Sequence, residues 1–281
     1  MVKVVTDSTA YLEPGVAEEL GISVVPLNIH FGDEILRDGI DITTTEFFRW
    51  LDRSPEMPMS SPPSESTFEK VYTELSKTTD EILSIHISSK LSQTCAVANA
   101  VAAPFLGRRN IAVVDSLTTS LGLGILATAA AEAAAQGRHL DEIVRLLRGM
   151  MPHIYIVFFV ETLDYLERGG YIGRAQAILG SMLGIKPLLI IEDGKIVPLE
   201  KVRTRLRAID KLFEFVVEFS HIEQMAILQK SPVATEETLL LIERLEMVLP
   251  EMEFPIVTYG PVLATHVGSN TMGVIVYEGM V

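Results

Sequence analysis

The sequence predicts an α/β protein: a parallel sheet in the first part of the chain and a smaller α/β unit with a mixed sheet in the second. Three observations carry that expectation. Short β-branched runs alternate with helix-length segments through the first half, the signature of βαβ units. The order of elements changes near Pro152. Apolar residues make up 48% of the 281 residues, and the mean hydropathy is +0.32. A small domain cannot hide that much apolar side chain, whereas two packed α/β layers can, and an internal cavity would take up a further share. The expected division is 1–152 and 153–281.

The first strand is read at 2–5, followed by Asp7-Ser8-Thr9 and a helix-like stretch to Leu20. A second strand is expected at 22–27. Helices follow at 43–52 and 64–76, each opening on hydroxyl residues able to cap an amino terminus. A strand at 82–87 leads into a small-residue helix at 91–103, and a strand at 111–114 into an alanine-rich helix at 117–136 that Gly137 stops. Beyond Pro152 comes an aromatic and β-branched strand at 154–160, then a glycine-rich turn and a helix at 178–184. Asp193-Gly194 marks a hairpin between strands at 187–191 and 195–199. Helices at 205–219 and 235–247 and strands at 225–229, 255–258 and 274–277 complete the pattern.

Composition excludes several classes of function. A net charge of −14 gives no basic footprint for nucleic acid, and the run 201–207 is the only dense basic cluster. The longest apolar stretches, 121–135 and 178–191, are broken by Glu132 and Lys186 and are too short for a bilayer core of roughly 30 Å. No secretory signal pattern opens the chain. The single cysteine, Cys95, rules out an intramolecular disulfide. A soluble, cytoplasmic protein without membrane insertion is expected.

The chemistry-bearing residues gather at strand ends, where ligands bind open parallel sheets. Asp7 and Asp115 each end a strand, either capping the next helix or organising a ligand-site network. The stretch 87–94 places Ser88, Ser89, Ser92 and Thr94 before a helix, a setting that suits a carboxylate or phosphate as well as plain capping. Ser60, Ser61 and Ser64 frame a rigid Pro62-Pro63 turn, which serves the same site or is a simple loop. His266 lies in a glycine-bracketed segment read as a loop between strands, structural or functional. No nucleophile elbow, phosphate-binding loop, dinucleotide fingerprint or metal spacing is present.

Several segments together resemble the DegV family of bacterial fatty-acid-binding proteins. They are VTDSTAYL, SSPPSESTF, ISSKLSQT, VVDSLTTSLGLG, ETLDYLERGGYIG, LGIKPLL, KVRTR and GPVLATHVG, in the family's order between residues 4 and 268. The resemblance implies a Rossmann-like first domain with helices on both faces of its sheet. It also implies a smaller second domain and a long-chain fatty acid lying between the two. It implies that Ser60 and Ser92 hydrogen-bond the carboxylate, with Ser61 and Thr94 in the same clusters. His266 would stand beside the head group and Arg203 near the entrance. No cofactor is implied. The partner implied is a separate ATP-dependent kinase subunit, to which a non-catalytic carrier presents the acyl carboxylate.

Two departures stand out. Ser60 and Pro62 occupy positions where the family pattern has Thr and Gln, and Tyr171 replaces the arginine of the glycine turn, with Arg174 three residues on as a candidate substitute.

The physics suits a lipid. Burying about fifteen methylenes at ~0.8 kcal/mol each supplies on the order of 12 kcal/mol before ordering costs, so the tail carries affinity. The carboxylate needs hydrogen bonds to offset its desolvation. The segment 178–190 is the first candidate for the tail slot. The rival reading is a phosphotransferase or hydrolase working through Asp7, Asp115 and His266.

Overall fold

The computed structural model describes residues 1–54, 56–171 and 184–280. Two main sheets organise them. Strands β1 (Lys3–Asp7), β2 (Ser23–Val25), β6 (Glu81–His86) and β7 (Asn110–Asp115) form a parallel sheet in the order β2-β1-β6-β7. Strands β8 (Ile154–Phe159), β9 (Lys186–Glu192), β10 (Lys195–Val202), β11 (Gln224–Gln229), β12 (Ile256–Thr258) and β13 (Met272–Tyr277) form a mixed sheet in the order β10-β9-β8-β13-β11-β12. Only the β11–β12 pair in it is parallel. Pro152 lies in the turn just before β8, with the whole parallel sheet ahead of it and the whole mixed sheet behind it.

Strand alternation decides what each sheet face buries. Val5 and Ile82 face Phe68 and Tyr72 of α3 (Glu65–Leu75) and Ala98 and Ala102 of α4 (Thr94–Ala102). Their neighbours Val4 and Leu83 face the opposite layer. There they meet Leu123, Leu126 and Ala130 of α5 (Ser120–Ala135) and Ile143 and Leu147 of α6 (Leu140–Met150). The same core continues into Ile156, Phe158 and Ile275 of the mixed sheet. Helix α5 therefore packs on both sheets, and its small residues make that possible. A Cβ at Gly122 would come within 2.9 Å of the Ile154 side chain, and one at Gly124 within 2.5 Å of the Ala10 carbonyl. The far face of the mixed sheet packs Val157, Phe159 and Val274 against Ile209 and Leu212 of α8 (Arg205–Val217) and Leu241 and Leu245 of α9 (Glu236–Glu246). The result is five layers, helix, sheet, helix, sheet and helix.

Local chemistry sets the boundaries. Helix α2 (Thr44–Leu51) opens on a capping box between Thr43 and Glu46; Ser64, Thr204 and Thr235 accept N–H bonds at the starts of α3, α8 and α9. The β9–β10 hairpin turns at Asp193 and Gly194, both at positive φ, as a tight primed turn requires. Pro198 sits on the edge strand β10, where a register shift accommodates its missing N–H.

Three features depart from the sequence expectations. A small antiparallel sheet, β4 (Glu34–Arg37)–β3 (Asn28–Phe31)–β5 (Met59–Ser61), occupies a stretch given no strands beyond residue 27. Its strands are too short to show alternation. Helix α6 was not anticipated, although Leu140, Ile143 and Leu147 recur at helical spacing on its buried face. In the first stretch, only Ser8–Ala10 (one 3-10 turn) and α1 (Val16–Glu19) are helical, because Tyr11 and Gly15 adopt positive φ and interrupt the path. The expected helix at 178–184 lies outside the described residues up to 183. Among the described residues, no helix is long and apolar enough to cross a membrane.

Candidate functional site

Strand β5 alternates its two serines to opposite faces. Ser61 shares the face of Asn28 and His30, and its hydroxyl lies 2.7 Å from His30 Nε2. Ser60 shares the inner face of the fully buried Ile29, and its hydroxyl lies 3.0 Å from His266 Nε2. His266 belongs to α10 (Pro261–Val267), which corrects the loop reading of this segment. Gly260 at the N-cap and Pro261 at the first helical position are a helix-start pattern, and Gly268 at positive φ ends the helix.

A third residue closes the arrangement. The Tyr171 ring meets the His266 ring edge-on at 4.9 Å between centroids, and its hydroxyl donates 2.8 Å to the Leu91 carbonyl. Tyr171 thus links His266 to the loop that carries Ser92. It follows the short helix α7 (Asp164–Arg168) through Gly169 and Gly170; a Cβ on Gly169 would collide with the Tyr171 ring, so the close approach requires glycine. Ser92 itself accepts the Thr94 N–H at 3.3 Å and pairs with the Thr94 hydroxyl at 2.8 Å, at the start of α4.

Ser60, His266 and Tyr171 line a cavity of about 250 Å³ together with Pro58, Met59, Tyr165, Arg168, Gly169 and Thr265. Arg168 supplies a cation that sequence reasoning missed, and its guanidinium donates to the Met57 carbonyl. The ERGG sequence before Tyr171 is the signal that would have found it. Arg203 is exposed in the bend between β10 and α8 and does not line this cavity. Burial pushes the His266 imidazole down to about 4, so it is neutral near pH 7. A neutral imidazole offers one donor and one acceptor, which suits a hydroxyl partner and an incoming carboxylate. Arg174 and residues 178–183 of the candidate tail slot lie outside the described residues.

The two strand-end aspartates are engaged elsewhere. Fully buried Asp7 accepts from the Thr9 N–H (3.1 Å), the Thr9 hydroxyl (2.6 Å) and the Ile87 N–H (2.9 Å), and pairs with His86 Nδ1 (3.1 Å). His86 continues through Ser84 to the Tyr72 hydroxyl, each step at 2.7 Å. Asp115 Oδ1 accepts the backbone N–H groups of Ser89 and Leu117 at 3.1 and 3.0 Å. Neither aspartate is hydrogen-bonded to Ser60 or His266. Among the described residues, no group of three His, Cys, Asp or Glu side chains is placed to hold a metal ion.

The sequence profile of the DegV family, described as uncharacterised, matches residues 1–279. The chain belongs to the DegV family. A DegV domain-containing protein from Streptomyces coelicolor is 38% identical, over 98% of each chain. Among solved structures, a DegV family protein from Thermus thermophilus, described for its fatty-acid binding, superposes with a TM-score of 0.87 at 32% identity, covering 99% of each chain. DegV from Bacillus subtilis, described as a fatty acid binding protein, superposes at 0.86 with 33% identity, over 98% of this chain and 99% of that one. The two-sheet arrangement is therefore that of the DegV proteins, as the sequence resemblance implied.

Proposed function

We propose that this DegV protein binds a long-chain fatty acid and carries it as a non-catalytic subunit, presenting the carboxylate to a separate ATP-dependent kinase subunit. The observation that carries the reading is the Ser60–His266 pair beside a cavity that also holds Arg168. One proton of the pair is used between Ser60 and His266, so the site offers a carboxylate the remaining donor, from the hydroxyl or the imidazole, and the Arg168 cation to offset desolvation. Ser92 and Thr94 do not line this cavity; Ser92 stands on the loop that Tyr171 holds through the Leu91 carbonyl, Thr94 opens α4 behind it, and Ser61 neighbours Ser60 on β5. Arg203 is assigned to the entrance on family resemblance alone. The fatty-acid binding described for the Thermus and Bacillus relatives supports the ligand class.

Ser60 comes from the part ahead of Pro152, whereas His266, Tyr171 and Arg168 come from the part behind it. This supports taking 1–152 and 153–281 as the domains that hold the carboxylate and cover the chain. The proposal places the carrier in the cytoplasm, with the kinase and its ATP. The fully occupied carboxylate of Asp7, with both oxygens hydrogen-bonded in the core, weighs against the phosphotransferase or hydrolase alternative.

Native mass spectrometry of the purified protein, followed by solvent extraction, tests the ligand. A stoichiometric fatty acid is expected; an unliganded mass that stays unchanged after incubation with C14 to C18 acids would overturn the proposal. For the carrier step, loaded protein mixed with a bacterial fatty-acid kinase subunit and ATP should yield an acyl phosphate trappable by hydroxylamine. Product formed without the kinase would favour the enzymatic alternative.

A further inference from the structure

We infer that Tyr11 is a positioning residue for the carboxylate site, acting as a surrogate N-cap for the helix that carries His266. The inference rests on the reading of that site as the fatty-acid anchor. Helix α10 is seven residues long, and its N-cap, Gly260, has no side chain to satisfy the first free N–H groups. An N-cap side chain ordinarily accepts from the second or third helical N–H. Here the third belongs to Leu263, and it donates to the Tyr11 hydroxyl at 3.3 Å, across 252 residues of sequence. His266 stands three positions further on, less than one turn away.

The fit is close. A Cβ at Gly260 would lie 2.7 Å from Tyr11 Cε1, so the glycine leaves room for the ring that replaces its missing cap. Tyr11 holds positive φ (44°), a backbone conformation uncommon for a tyrosine, which aims the ring out of the 3-10 turn toward α10. Burial, reinforced by the Asp38 carboxylate, holds the phenol well above its usual range, so it stays protonated and uncharged.

The same segment grips the other two anchors. Asp7 receives the Ile87 N–H at the head of the Ser92 loop, and Ser8 receives the Leu27 N–H next to β3, the strand that pairs with β5 and Ser60. Residues 7 to 11 thus set the relative placement of Ser92, Ser60 and His266. The contacts of Asp7 lie in the core and that of Ser8 at its edge; Tyr11 is partly buried against the same core, and Tyr11→Phe removes its hydroxyl while keeping the ring that packs there.

The test compares wild type, Tyr11→Phe, Tyr11→Ala and the double variant Tyr11→Ala with Gly260→Ser. Removing the tyrosine ring makes room for the serine, whose hydroxyl supplies a local cap at extended backbone angles. Three quantities are read: oleate affinity, the exchange rate of the Leu263 amide, and the titration midpoint of His266 by NMR. Tyr11→Phe should lose about tenfold in affinity, speed Leu263 exchange and raise the His266 midpoint, while global melting moves little. The double variant should recover all three relative to Tyr11→Ala. Unchanged exchange and midpoint in Tyr11→Phe, or no recovery in the double variant, would overturn the inference. If wild type binds no fatty acid, the functional reading fails, and exchange and titration still decide the capping role.

Discussion

The hydroxyl of Ser60 and Nε2 of His266 stand 3.0 Å apart, although 206 residues separate them in the chain. This contact joins the small antiparallel sheet ahead of Pro152 to the helix that follows β12. Neither partner is fully enclosed. Each therefore keeps a side toward the cavity that Arg168 and Tyr171 also line.

Replacing Ser60 with Ala removes one hydroxyl from this group and little packing. A hydrogen bond to a charged acceptor contributes about 1.5–3 kcal/mol, so fatty-acid affinity should fall roughly ten- to a hundredfold. Thermal stability should change far less. Displacement of a fluorescent fatty acid, read beside a melting curve, separates the two; unchanged affinity would remove Ser60 from the anchor.

Much of the frame was legible in the sequence because its signals are local. The strands of the parallel sheet contain β-branched runs that alternate with helix-length segments, and the Asp193-Gly194 turn announces its hairpin. The small sheet was not legible, because β3 and β5 are three or four residues long and find each other across a capped helix. The helical setting of His266 was available in the Gly260-Pro261 start but was masked by the surrounding glycines. In the sequence Tyr171 is only a departure from the family pattern. That its ring meets His266 while its hydroxyl reaches the Leu91 carbonyl depends on chain packing that no local spacing encodes. The pairing of Ser60 with His266 is likewise a property of the assembled fold.

The His266 imidazole makes stability pH-dependent in a predictable direction. Its midpoint lies at about 4 in the folded protein because burial disfavours the cation. In the unfolded chain a histidine titrates near ~6.5. Between those values the unfolded chain binds the extra proton, so stability from this group rises with pH through the window and is flat above it. Acidification across the window should cost up to about 3 kcal/mol. Urea titrations of wild type and His266→Gln at a series of pH values give the difference curve. It should slope only in that window, and a flat difference would refute the assignment.

Asp38 works in the opposite sense. Burial pushes its carboxyl up to about 7, with the nearby Asp7 adding to the rise and the Ser8 hydroxyl opposing it. One of its oxygens is buried without a hydrogen-bond partner. An unfolded aspartate titrates near ~3.9, so between the two values the folded state holds the extra proton. Stability from this group is therefore full below ~3.9 and declines as pH rises toward 7. Asp38→Asn, which stays neutral, should stabilise the protein at about pH 8 by on the order of a few kcal/mol and show no gain in strong acid. Equal or lower stability of the variant at pH 8 would show that the ionised carboxylate is not the burden.

Asp7 separates the structural from the catalytic reading of the strand ends. Its carboxylate has no exposed surface and meets four donor groups, from the Thr9 backbone and hydroxyl, the Ile87 backbone and the His86 ring. Asp7→Ala strands those donors in the core, and each unsatisfied group costs about 1–3 kcal/mol, so a loss above roughly 3 kcal/mol is expected. Because the Ile87 N–H leads the Ser92 loop, fatty-acid affinity should fall along with stability. A catalytic aspartate would behave differently: the fold would survive and any turnover would vanish. Chemical denaturation and fatty-acid binding measured on the same preparation distinguish the two patterns. Intact stability with loss of an activity would instead favour the catalytic reading of Asp7.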